Sequence, residues 1–235
     1  MPKRLLVIAL TVLLTSGCAV SVNGNPVAEP ARGQTSGSPD TSATTGGDAK
    51  PTTRCEFLDD TSPGTVSAGG KPADKADDQG GTLTFTTDKG PLKIELDPAA
   101  GPCSVRSVRY LVQKKFYDGT SCHRLTTNPN LGVLQCGDPS GTGTGTPGFR
   151  YDDKLPDPGD YRRGVVAMAN AGPGTNGSQF FIVHGAANID GDYPVVGKVV
   201  AGMDIVDKVV AGGVAGGTDD GKPATPLTFT TVTGG

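Results

Sequence analysis

The stretch Gly164–Val183, GVVAMANAGPGTNGSQFFIV, decides how the rest of this chain is read. Two apolar runs, Val165 to Met168 and Phe180 to Val183, flank an insert from Asn170 to Gln179 that is too rich in Gly, Pro and Asn for regular structure. That pattern is strand, loop, strand. Loops carried on a rigid sheet are where ligands dock, so a peptide or small ligand is expected here.

Outward from this stretch, Thr82 to Gly235 forms one domain of ordinary size, about 150 residues. Thr82–Thr87 and Leu92–Leu96 alternate apolar and polar residues across Asp88–Lys89–Gly90–Pro91, which predicts a hairpin. Val105, Val108, Leu111 and Val112 recur at helical spacing behind Ser104, a suitable N-cap, and predict a helix from Val105 to Lys115. Further strands are expected at Thr120–Leu125, Val133–Cys136, Val195–Val200 and Leu227–Val232. A second helix is expected at Met203–Val210, where Ile205, Val206, Val209 and Val210 form one stripe. Many short strands with two helices predict a mainly β, closed or nearly closed antiparallel barrel capped at its ends, which leaves no exposed edge.

Upstream of the domain, Lys3 and Arg4 precede about ten apolar residues and then Thr15–Ser16–Gly17–Cys18. Ten residues of helix rise about 15 Å, half of a bilayer core, so residues 1–17 are expected to be a signal peptide. The small residues before Cys18 resemble a bacterial lipobox and predict lipidation of Cys18. The chain would then sit on the outer face of the bacterial cytoplasmic membrane or in the envelope, with secretion as the alternative. Ala19–Arg54 is 36 residues long, with 19 Gly, Pro, Ser or Thr and no aromatic. Such a segment cannot offset its ordering entropy, so residues 18–81 are expected to be a disordered tether, interrupted by an apolar island at 55–58. Without residues 1–17 the chain carries 19 Lys and Arg against 24 Asp and Glu, a net charge of −5. That balance offers no reason to bind nucleic acid or an anionic lipid surface. Attachment to a membrane would come through the lipid anchor alone.

Cys55, Cys103, Cys122 and Cys136 remain after processing, an even number in an exported chain, and are expected to form disulfides. Three pairings are possible. Cys122 with Cys136 is favoured because they fall on neighbouring predicted strands, leaving Cys55 with Cys103. Cys122–His123 is not a nucleophile–base dyad, because adjacent strand residues point to opposite faces. Gly141–Gly148, GTGTGTPG, lacks the Gly-Lys-Ser/Thr end of a phosphate loop and is read as a mobile surface loop. Asn188–Asp192 lacks the ligand spacing of a calcium loop and is read as a turn. No metal or cofactor is expected. What remains is a set without a strong nucleophile: Arg124, Gln135, Asn170, Gln179 and Phe181.

Four stretches, FYDGTSCHRL (116–125), QCGDPSGTGTGTPG (135–148), MANAGPGTNGSQFFIV (168–183) and VVGKVVAGMDIVDKV (195–209), resemble the cyclophilin family of peptidyl-prolyl cis/trans isomerases, in the family's order. The resemblance implies an eight-stranded antiparallel closed barrel capped by two helices and an isomerase acting on X-Pro bonds of exported proteins to assist folding. The alternative is a proline-peptide binding module of the same fold with little or no turnover. By position it implies Arg124 and Gln135 as catalytic residues. Ala169, Asn170, Ala171, Gln179, Phe181, Ile189 and Tyr193 are implied to bind substrate. The implied partners are proline-containing peptide segments, and a monomer is expected. The chain also departs from the family. The Pro-Gly-Phe-Met that walls the family's pocket is replaced by Leu125–Leu134, where Leu131 or Val133 would substitute. The family's Trp, associated with tight cyclosporin binding, falls at Asn188, and Tyr193 takes the place of the usual rim His.

Overall fold

The structure is a computed structural model that describes residues 54–153, 160–191 and 193–234. The expected signal peptide, Cys18 and most of the expected tether lie outside the described residues.

In chain order the elements are β1 (Phe57–Asp59), β2 (Gly81–Thr87), β3 (Gly90–Leu96), α1 (Pro102–Gln113), β4 (Arg124–Thr126) and β5 (Leu131–Cys136). There follow β6 (Phe149–Tyr151), β7 (Val165–Met168), β8 (Phe180–Ala187), β9 (Val195–Ala201), α2 (Met203–Ala211), β10 (Asp220–Gly221) and β11 (Phe229–Gly234). Nine strands form one antiparallel sheet in the order β10-β4-β5-β8-β7-β9-β3-β2-β11. The sheet curls until its ends meet. Gly119 N–H and Cys122 N–H donate to the carbonyls of Phe229 and Leu227, and Phe229 N–H donates to Thr120 O. The approach to β4 is therefore paired with the approach to β11. The mainly β architecture with two helices matches the expectation; the strand count is nine in this sheet where eight were expected.

The barrel is filled from the inner face of its wall and closed by the two helices. Leu83, Phe85, Ile94, Leu96, Leu125, Leu134, Val166, Ile182 and Val196 point inward, and Val105, Val108 and Leu111 of α1 and Ile205, Val206 and Val209 of α2 close on them. Phe85, Phe180 and Phe229 pack ring to ring at 4.9–6.3 Å, with Tyr117 on Phe180. Each fully buried ring removes apolar surface worth several kcal/mol by area, the dominant favourable contribution to a core.

Helix α1 begins three residues before the expected start, and Ser104 is not its cap. Gly101 occupies the N-cap, where any Cβ would come within 2.5 Å of Val195 O, so the backbone approach excludes a Ser at that position. The capping acceptor is supplied from afar: Ser104 N–H donates to Asp153 Oδ2 at 2.7 Å. A carboxylate at a helix N-terminus satisfies an orphan donor and the helix dipole together.

Residues 54–80 lie against the domain. Disulfides join Cys55 to Cys103 and Cys122 to Cys136. Phe57 is 2% exposed and packs on Phe149 and Tyr151 at 5.7 and 5.2 Å, while β1 pairs with β6. One aromatic anchor, one bridge and one short ladder hold a segment whose composition alone is that of a tether.

Candidate active site

The register of four strands assembles the site. Arg124 on β4 stands opposite Gln135 on β5, Gln135 opposite Phe181 on β8, and Phe181 opposite Ala167 on β7. Directly opposed residues project from the same face, so this row points away from the barrel interior. The next row, Leu125, Leu134, Ile182 and Val166, points into it. A single sheet thus has a core on one face and a groove on the other.

The groove has its own apolar cluster, separate from the core: Val133, Tyr161, Ala167, Phe181 and Val183, with Leu131, Ala169, Ile189 and Tyr193 packed around them. Phe181 is 5% exposed at its centre. Tyr193 meets it edge-on at 5.6 Å, and Tyr161 lies tilted against it at 6.1 Å. Both Leu131 and Val133, named as substitutes for the missing aromatic wall, lie in this cluster. Tyr161 was not anticipated. Its hydroxyl sits 3.1 and 3.0 Å from the carbonyl oxygens of Gly191 and Tyr193 and accepts the Tyr193 N–H at 3.0 Å, so it fixes the rim that carries Ile189 and Tyr193. In sequence it stands between Asp160 and Arg162–Arg163, which is also the pattern of an exposed turn. Asn188 is exposed, with its N–H donating to Asn130 O.

A polar relay runs along one side of the groove. Arg124 Nη1–H donates to Gln135 Oε1 at 3.3 Å, Gln135 Nε2 donates to Gln179 Oε1 at 2.9 Å, and Gln179 Nε2 donates to Gly143 O and Gly145 O at 3.1 and 3.0 Å. On the other side Arg124 donates from Nε and Nη2 to the two oxygens of Asp220, both at 2.7 Å. This fork raises the guanidinium pKa, with burial opposing it, so Arg124 is cationic at any working pH. Asp220 was also missed, because no local pattern marks an acidic residue 96 positions from its partner.

The Asn170 side chain donates to Asn176 Oδ1 at 3.0 Å and accepts Gly172 N–H at 3.1 Å; Ala169 N–H donates to Gln179 O and Ala171 N–H to Thr175 Oγ1. These bonds shape the insert of the opening stretch. Together with Gln135 and Gln179 the insert lines a second, polar cleft of about 420 Å³, whose far side carries Arg150 and, from the N-terminal segment, Asp60 and Ser62.

The Gly and Thr loop is more ordered than its composition suggests. Asp138 is 1% exposed and accepts hydrogen bonds from Ser140 N–H and Oγ–H and from Gly143 N–H. Burial pushes its carboxyl pKa up, but these bonds from Ser140, Gly143 and Gly145 outweigh it and leave the group below the ordinary carboxylate value. A depressed folded-state pKa stabilises above the unfolded value of about 3.9 and loses that contribution as pH falls through the folded one. Asp138→Asn is therefore expected to be less stable than the parent at pH 7 and to lose the part of the acid-side stability decline below about pH 4 that this group causes. Thermal melts from pH 2 to 7 check this, and parallel decline of both proteins would contradict it.

Comparison with known proteins places this geometry. The sequence profile described as "Cyclophilin type peptidyl-prolyl cis-trans isomerase/CLD" matches residues 82–233. The chain is 46% identical over 164 residues to the probable peptidyl-prolyl cis-trans isomerase B of Mycobacterium tuberculosis, covering 64% of this chain and 53% of that protein. It is 44% identical over 161 residues to its Mycobacterium leprae counterpart, covering 63% and 55%. The chain thus spans about half the length of these curated relatives. A crystal structure of a Cryptosporidium parvum cyclophilin type peptidyl-prolyl cis-trans isomerase superposes with a TM-score of 0.57 at 25% identity, covering 67% of this chain and 98% of that one. The same Cryptosporidium isomerase in the presence of the dipeptide Ala-Pro superposes at 0.54 with 27% identity, covering 66% and 97%. With the outward Arg-Gln-Phe row on a curled nine-stranded sheet and a profile match across the whole of that sheet, this chain belongs to the cyclophilin family of peptidyl-prolyl cis/trans isomerases.

Proposed function

We propose that the protein accelerates cis/trans rotation of X-Pro bonds in proline-containing segments of exported proteins, working as a monomer held to the outer face of the membrane by lipid on Cys18. The observation that carries the chemistry is the cross-strand row, which sets a cation and an apolar floor side by side: Arg124, Gln135, Phe181.

Prolyl rotation is slow because the twisted state loses amide resonance, a barrier of about 18–20 kcal/mol. A site lowers it by binding the twisted state better than either planar one. In this reading the proline ring enters the apolar groove over Phe181, walled by Val133, Leu131, Ile189 and Tyr193. Asn170 and its neighbours Ala169 and Ala171 hold the flanking peptide backbone, which continues past Gln179 into the polar cleft. As the bond twists, the prolyl nitrogen becomes pyramidal and gains a lone pair. The Arg124 guanidinium, oriented by Gln135, donates to that lone pair and stabilises it. Crystallisation of the Cryptosporidium isomerase in the presence of Ala-Pro supports a proline peptide as the ligand of this groove.

A protease-coupled or exchange NMR assay with an Ala-Pro peptide tests this directly. Acceleration above the uncatalysed rate is expected, and binding without acceleration would leave only a proline-peptide module. Export and lipidation are tested separately, by mass spectrometry of the mature N-terminus, where an unmodified Cys18 would remove the anchor. Asn188 at the position of the family's Trp, with no Trp in the chain, predicts cyclosporin inhibition weaker than nanomolar, to be read from inhibitor titration.

A further inference from the structure

The region between α2 and β11, residues 212–228, carries a Gly-rich excursion that the site described so far does not use. It forms a short hairpin. Val214 bridges Pro223, Ala215 N–H donates to Lys222 O, Ala224 N–H donates to Gly213 O, and Gly217 N–H closes the tip onto Val214 O. Gly216 and Gly217 have φ of +82° and +74°, a left-handed pair that residues with side chains adopt only under strain. The far limb then docks on the sheet. Asp220 stands opposite Thr126 and Gly221 opposite Leu125, and Thr127 N–H donates to Asp219 O at 2.8 Å. Since Thr126 and Arg124 are two apart on β4, the carboxylate of Asp220 arrives on the same face as the guanidinium, one diagonal step away.

We propose that Asp220 is a positioning residue for the isomerisation, and that the 213–224 hairpin exists in the fold to deliver it. This rests on the assignment of Arg124 to the prolyl nitrogen. An Arg stem has many rotamers and a strand end does not choose among them. The two 2.7 Å bonds to Asp220 fix the guanidinium plane along one edge, and Gln135 at 3.3 Å fixes the other. Two N–H groups, one on each Nη, are left by these three bonds. The carboxylate thus holds the cation in place before the peptide arrives, so the orienting cost is met in folding and not in the twisted state. Asp220 acts through the Arg124 guanidinium it holds, so its loss is expected to affect turnover more than binding.

The test is steady-state kinetics on Asp220→Ala and Asp220→Glu, alone and with Arg124→Ala, each with a thermal melt. Asp220→Ala is expected to lower kcat by about tenfold with little change in KM. Asp220→Glu, which keeps the carboxylate, is expected to recover part of it. In the Arg124→Ala background Asp220→Ala should cost nothing further, because no guanidinium remains to be held. Asp219→Asn is expected to leave the rate unchanged, since only its backbone carbonyl is used. Unchanged or faster turnover by Asp220→Ala overturns the proposal, as does an equal loss in the Arg124→Ala background, which would mean general damage. A wild-type chain that does not isomerise at all fails the parent reading instead, and its variants then show no rate to compare.

Discussion

Arg124→Ala is expected to lower kcat/KM on an X-Pro peptide by about 10²–10³-fold, with KM altered far less than kcat, if the proposed isomerisation holds. A loss of 10² is about 2.7 kcal/mol of transition-state stabilisation, which is what removal of one oriented donor in a partly dehydrated site costs. The guanidinium is about two-fifths exposed in the peptide-free structure, and a bound peptide would cover it, strengthening its field at the prolyl nitrogen. The planar ground state offers that nitrogen no lone pair to receive the bond, so binding is little changed. Arg124→Lys rescues poorly, because an ammonium cannot make the fork to Asp220 and the bond to Gln135 together. Near-equal activity of Arg124→Ala and wild type would remove the cation from the mechanism and leave ring burial over Phe181 as the whole effect.

The second large effect is on stability. Replacing Cys55 and Cys103 by Ser destabilises the domain by about 4 kcal/mol by the loop-entropy relation for a bridge closing 48 residues. That is a large share of the 5–15 kcal/mol typical of a whole domain. It is read from urea unfolding of the oxidised protein against the double variant. The consequence reaches the site. Residues 54–62 lose their covalent anchor, and Asp60 and Ser62, which line the polar cleft, become free to leave it. Short Ala-Pro peptides should still be turned over, because Arg124, Gln135 and Phe181 are set by the sheet register. Longer peptides that fill the cleft should lose affinity. A change under about 1 kcal/mol would mean that burial of Phe57 against Phe149 and Tyr151 holds the segment unaided.

How far the site could be read from the chain follows from what each residue answers to. The opening stretch announced itself because its two apolar runs and Gly-rich insert are local patterns, whereas Arg124, Gln135 and Phe181 lie together because the register of β4, β5 and β8 sets them opposite one another. Helix α2 was legible from one apolar stripe; α1 started three residues early because the close approach of Gly101 to Val195 O, 94 residues on, decides its first turn. The stretch 141–148 looked mobile because Gly and Thr show no preference of their own, yet one buried carboxylate just before it, Asp138, accepts from Ser140 and Gly143. The island at 55–58 stood out in the tether, and Cys55 was paired with Cys103, but residues 59–80 read as tether because their Gly, Lys and Asp composition gives no sign of the backbone bonds they make to Gly148, Thr146, Pro147 and Pro102.

From the sequence alone came the mainly β class with two helices, written in short-range periodicity, and the family resemblance, written in contiguous motifs, which in turn implied the groove residues. Only the tertiary structure decided that the sheet has nine strands, that Tyr161 braces the rim, that the N-terminal segment walls the cleft and that Asp220 grips Arg124. Each of these depends on a register or a packing contact between residues tens of positions apart. A carboxylate carries no mark of the guanidinium it will meet until the curl of the sheet brings the two within 2.7 Å.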